Sequence, residues 1–120
     1  MQDTIELKFD LLRRAYIAFN ARNIDAALAI MASDISWPRA FKGGHVTGRE
    51  EVRAYWTEQW SEIDPKVEPV EFAFSPDGAV VVTVHQVVKS LEGDVLADAQ
   101  VKHTFQFAGD LILSMDVVAD

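Results

Sequence analysis

Three successive hairpin signals in the second half of the chain select one common apolar face, and this agreement limits the fold more than any single motif. Val70, Phe72 and Phe74 alternate with other residues before Ser75-Pro76-Asp77-Gly78-Ala79. That run reads as a type I turn with a left-handed glycine, a three-residue hairpin loop. It sets Phe74 opposite Val80, Phe72 opposite Val82 and Val70 opposite Val84. The strand Val80 to Lys89 then turns at Glu92-Gly93 into Val95 to Phe107. A two-residue turn there places Val82 against His103, Val84 against Val101 and Gln86 against Ala99. The shared face continues through Ala97, Phe105 and Phe107, because side chains two apart on a strand point the same way. Independent hairpins that agree in register specify a sheet with one buried side.

The last hairpin carries the chemistry. Gly109-Asp110 leads into Leu111 to Val118. A two-residue turn pairs Phe107 with Ile112, Phe105 with Ser114 and His103 with Asp116. Directly opposed side chains lie about 4.5–5.5 Å apart at Cβ. An imidazole and a carboxylate on one apolar face form a proton-handling pair, or a structural hydrogen bond within the core. Burial raises a carboxylate's pKa and lowers an imidazole's, while their mutual attraction opposes both shifts. Gln86 shares the inward face and can donate to a substrate carbonyl or bond the backbone. His85 falls on the opposite face, beside Asp98, Gln100 and Lys102.

The first half reads as helices, so the class is α+β. Ile5, Phe9, Leu12, Tyr16 and Phe19 mark one face of a helix from about Thr4 to Asn20, with Asp3 and Glu6 as a capping box. Asn23 caps a second helix over Ile24 to Met31. Asp34 to Trp37 is a short strand ended by Pro38, and Arg39 to Val46 is a loop. Thr47 and Glu50 fit a capping box for a third helix, whose stripe is Val52, Tyr55, Trp56, Trp60 and Ile63. Asp64-Pro65 stops it. Tyr16, Trp37, Trp56 and Trp60 are core aromatics, and near a cavity the same residues become its wall.

Composition narrows the function classes. The 120 residues make one domain, residues 1–120, with a single core. A net charge of −8 and no basic stripe argue against nucleic acid and against an anionic membrane surface. There are no cysteines, which removes disulfides, thiolate catalysis and thiolate metal sites. His45, His85 and His103 lack metal-ligand spacing, so no metal is expected. The glycines of GGHVTGRE lack the Gly-Lys-Ser/Thr of a phosphate loop. No basic n-region followed by an apolar run opens the sequence, and the expected location is cytoplasmic.

The order of elements resembles the nuclear transport factor 2-like superfamily. AYIAFNARNIDAALAIMASDISW (15–37), TGREEVRAYW (47–56) and HTFQFAGDLILSMDV (103–117) are similar to its opening helices, its third helix and its final hairpin. The closing SMDV is similar to the ending of SnoaL-like polyketide cyclases. The resemblance implies a cone-shaped barrel of strongly curved antiparallel sheet around three N-terminal helices, with one apolar pocket and usually a homodimer. It implies Asp116 as acid/base and His103 as a pocket-facing polar position on the neighbouring strand; from their inward positions, Tyr16, Trp37, Trp56, Gln86 and Phe105 are the candidates for contact with an apolar carbonyl substrate. The implied chemistry is isomerisation or cyclisation without a cofactor, or ligand binding without turnover. The sequence departs from ketosteroid isomerases at Trp37, where those enzymes carry their general-base aspartate, and at Ala15, where they carry a tyrosine. No arginine falls on an inward strand face, as limonene epoxide hydrolases require. Val81, Val87 and Leu96 point outward and are candidates for the dimer face.

Overall fold

The computed structural model describes residues 4–39 and 42–119. Helix α1 (Thr4–Asn20) and the short α2 (Ile24–Leu28) precede strands β1 (Met31–Pro38) and β2 (His45–Thr47). Helix α3 (Arg49–Glu62) runs directly into β3 (Ile63–Phe74), followed by β4 (Val80–Ser90), β5 (Val95–Ala108) and β6 (Leu111–Ala119). The strands form one six-stranded sheet in the order β2-β1-β6-β5-β4-β3, curled but unclosed. Five strands were legible as antiparallel partners or a short insertion; the structure adds β2 and a parallel pairing of β1 with β6.

Local chemistry explains most boundaries. Asn23 caps α2 by accepting from the Ala26 N–H at 3.2 Å. That helix ends at Leu28, not Met31, because Met31 opens β1 and pairs with Ile112. Helix α3 is capped by Gly48, not by the expected Thr47–Glu50 box. Thr47 is instead a strand residue, and its N–H donates to Glu51 Oε1 at 3.3 Å. The expected cap Asp3 and the side chain of Ile5 lie outside the described residues, as do residues 40–41 of the expected loop. Gly78 and Gly109 adopt φ of 92° and 60° in their turns, where a side chain would be strained.

The first two hairpin registers match the pattern of the sequence near the core. Phe74 pairs with Val80, Phe72 with Val82, Val82 with His103 and Gln86 with Ala99. Bulges alter them elsewhere. Val70 is the extra residue between Pro69 and Glu71, and it turns out to solvent instead of facing Val84. A three-residue loop replaces the two-residue turn at Glu92-Gly93, and a bulge beyond Val88 absorbs the difference. Ala97 and Ala99 lie on the part of the sheet that the helices do not cover, so they are exposed.

The core lies between the helices and the concave sheet face. Leu12, Met31, Ile35, Val52, Trp56, Val82, Phe105 and Ile112 are all but inaccessible to solvent. Each apolar side chain of this kind contributes about 1.5–3 kcal/mol when fully buried. Strand β3 is an outer edge, and α1 covers part of it through Asn20. The Asn20 amide donates to the Val67 carbonyl at 2.7 Å and accepts from the Val67 N–H at 3.0 Å. A side chain thus replaces a missing neighbouring strand. Arg22 follows, left-handed at φ 63°, and is held by Asp64, by the Pro65 carbonyl at 2.8 Å and over the Trp60 ring. No helix among the described residues is long and apolar enough to cross a membrane.

Replacing Asn20 by Ala removes both bonds to the edge strand. The expected loss is about 1–3 kcal/mol in denaturant unfolding, with faster amide exchange at Val67. Unchanged stability and exchange would show that the amide clasp is dispensable.

Candidate functional site

The site begins with two side chains brought together from opposite halves of the chain. Tyr16 sits on the buried face of α1, one helical turn from Leu12. His103 sits on β5 in register with Phe105, pointing inward as the alternation requires. Their meeting places Tyr16 Oη 2.8 Å from His103 Nδ1. The rings lie nearly parallel, 10° apart. Both residues are only 5% exposed.

Burial decides their charge. Desolvation pushes the His103 pKa down to about 4 and raises that of Tyr16 above its ordinary value. Both groups are therefore neutral at pH 7. A phenol is the better donor and an imidazole nitrogen the better acceptor, so Tyr16 O–H donates to Nδ1. The remaining imidazole proton is then on Nε2. That nitrogen has no hydrogen-bond partner among the described residues, and His103 lines the cavity. The arrangement presents one neutral N–H donor to an apolar space.

The cavity has a volume of about 60 Å³. Trp37 packs edge-on to Trp56, with centroids 5.3 Å apart, and Phe19 approaches Trp56 in the same manner at 5.2 Å. Tyr16, Trp37, Trp56, Gln86 and Phe105, the five residues expected around a ligand, all line this space. Phe19, Tyr55, Gln59, Met31, Met115 and Val117 line it as well. Sequence reasoning assigned Phe19 and Tyr55 to the core only, and placed Met31 in a helix. Gln59 carried a legible signal, a polar residue one turn beyond Tyr55 on the buried stripe of α3. Its amide donates to Tyr55 Oη at 3.0 Å.

Asp116 is not part of this assembly. The expected opposition of His103 and Asp116 is replaced by His103 with Val117 and Thr104 with Asp116. The cause is a bulge in β6: Phe107 pairs with Ile112 but Gln106 with Ser114, so Leu113 is an extra residue. One inserted residue turns every later side chain to the other face. Asp116 is exposed, and its carboxylate bonds His45 Nε2 at 2.8 Å across the neighbouring strand. His85 makes a similar exposed contact with Asp98 at 2.6 Å. Among the described residues, no group of three or more His, Cys, Asp or Glu side chains is placed to hold a metal ion.

The geometry can be set beside known proteins. No protein of curated function is significantly similar to the chain in sequence. Solved structures share its fold. A nuclear transport factor 2-like protein of unknown function from Burkholderia pseudomallei is 24% identical, with a TM-score of 0.82 over 95% of this chain and 91% of its own. TerC, co-crystallised with polyporic acid, is 22% identical, with a TM-score of 0.82 over 95% of this chain and 92% of its own. A Mycobacterium tuberculosis protein in complex with estradiol-17β-hemisuccinate is 16% identical, with a TM-score of 0.79 over 93% of this chain and 92% of its own. The three helices and curled sheet match the cone fold of this superfamily. The family model for the SnoaL-like domain matches residues 12–115. The chain belongs to the SnoaL-like domain family, within the nuclear transport factor 2-like superfamily.

Proposed function

We propose that the protein binds a small apolar carbonyl compound in this cavity, with the carbonyl oxygen accepting a hydrogen bond from His103 Nε2–H. The observation that carries the reading is the neutral imidazole, fixed by Tyr16 and facing an aromatic cavity with no acceptor for Nε2 among the described residues. A donor set in an apolar wall is stabilised when an acceptor reaches it. A ligand oxygen supplies that acceptor, and the ring walls bury the remainder. Two proteins of the same fold were crystallised with small organic ligands, which supports the pocket reading.

Isomerase or cyclase chemistry would build on the same contact. A hydrogen bond from His103 polarises the carbonyl and stabilises negative charge on its oxygen as an enolate forms. Tyr16 acts as a positioning residue, because it fixes the tautomer. No metal or organic cofactor enters this scheme. Among the described residues no Asp or Glu lines the cavity, and this favours binding without turnover as the second reading. A neutral imidazole of low basicity is a weak base, so proton removal would fall to water or to the substrate.

Aryl ketones screened by quenching of tryptophan fluorescence test the binding claim. His103→Phe should weaken the best ketone roughly tenfold, the equivalent of one hydrogen bond, while Asp116→Asn leaves affinity unchanged. Equal affinity in wild type and His103→Phe would remove His103 from the site. Deuterium incorporation beside the bound carbonyl, followed by NMR, separates the two readings. Enolisation gives exchange that falls about 10²-fold or more in His103→Gln; background exchange with intact binding leaves a binding module.

We also propose a homodimer formed through the outer sheet face. Leu96, Val118 and the bulged Val70 are 59%, 54% and 57% exposed there, beside the half-buried Val81 and Val87. Sedimentation at micromolar concentration should show a dimer that Leu96→Lys with Val118→Lys converts to monomer. A monomeric wild type would refute it.

A further inference from the structure

We infer that the cavity takes its ligand uncharged: a compact, single-ring ketone or phenol enters as the neutral molecule, and its ionised form stays in solution. This deepens the binding reading above and rests on it. The grounds are the inventory of polar groups in the wall. Among the described residues, no Lys, Arg, Asp or Glu lines the cavity, so an ion inside would meet no countercharge. The titratable side chains that face it are Tyr16, Tyr55 and His103. The Tyr16 hydroxyl is committed to His103 Nδ1, and the Tyr55 hydroxyl accepts from Gln59. What remains for a ligand is neutral: His103 Nε2–H, the amide of Gln86, whose side chain makes no hydrogen bond among the described residues, and the carbonyl oxygen and second N–H of Gln59.

A neutral N–H donor and amide dipoles recognise an oxygen and a hydroxyl proton. They do not replace the hydration shell of an anion, and burying an unpaired ion costs far more than one neutral hydrogen bond returns. Cations behind the wall give no relief; Arg49 is held by the Met31 carbonyl at 2.9 Å. Arg22 stacks on Phe19, which lines the cavity, but its guanidinium is already engaged by Asp64 and by the Pro65 carbonyl. The net charge of −8 adds a weak long-range repulsion of anions. Volume sets the size class. A cavity of about 60 Å³ is smaller than the roughly 150 Å³ that accommodates benzene in an engineered core. Even one ring therefore requires the wall to give, and larger ring systems require more.

The inference predicts that affinity follows the ionisation of the ligand. 4-Nitrophenol, which ionises near neutrality, and 4-nitroanisole, the same ring without an ionisable proton, form a matched pair. Binding is read from the methyl signals of Met31 and Met115, which line the cavity, between about pH 5.5 and pH 8.5. Across that range His103 and Tyr16 keep their neutral forms. The expected result is constant affinity for 4-nitroanisole. For 4-nitrophenol, affinity should fall about tenfold per pH unit once the pH exceeds the phenol's own pKa. Affinity for 4-nitrophenol that stays level or rises through its ionisation, with 4-nitroanisole still bound, would overturn the selection of uncharged ligands and leave the pocket reading standing. If neither compound shifts the methyl signals at millimolar concentration, the pocket reading fails and this inference with it.

Discussion

The hydrogen bond between Tyr16 and His103 is the constraint on which the site depends. It joins the first helix to the fifth strand across the core, 87 positions apart in sequence. It satisfies one nitrogen of a buried imidazole and thereby determines which proton the ring keeps. Without it, His103 would be a polar group with two unmet demands in an apolar wall. With it, the ring has one remaining donor, directed by the backbone register of β5 rather than by a flexible side chain. Rigidity follows from the neighbours, since Phe105 packs against both rings.

The same burial has a thermodynamic consequence. His103 binds its proton less tightly in the folded state than in the unfolded chain, where an imidazole titrates near 6.5. Above that value both states carry the ring neutral and no penalty is felt. As pH falls from about 6.5 towards about 4, the unfolded state takes up the proton first and stability declines. The pocket is thus tuned for neutral conditions: the desolvation that keeps its donor uncharged also makes the fold sensitive to acid.

Much of the architecture was legible because local signals and apolar alternation agreed. The turns at Gly78 and Gly109, the Asn23 cap and the inward direction of His103, Gln86 and Phe105 all follow from residue type and spacing. The error at Asp116 is instructive. Turn length at Gly109-Asp110 implied one register, whereas polarity implied another, with Leu113, Met115 and Val117 alternating against Ser114 and Asp116. The bulge at Leu113 resolves the conflict in favour of polarity, leaving a carboxylate in water beside His45 rather than in the core. The desolvation cost of an ionised carboxylate exceeds the cost of one unpaired strand residue. Tyr16 as the partner of His103 was not legible, because helix-to-strand contacts depend on packing angles that spacing does not encode.

The central claim is that His103 is a neutral imidazole with its proton on Nε2, held by Tyr16. Nitrogen-15 NMR of the histidine side chains measures this directly, with His103→Gln used to assign the signals. The prediction is a non-titrating ring between pH 5.5 and about 8, protonated at Nε2 and accepting at Nδ1, which in Tyr16→Phe loses the Nδ1 hydrogen bond. A His103 that titrates near 6.5, or that carries its proton on Nδ1, would contradict the account.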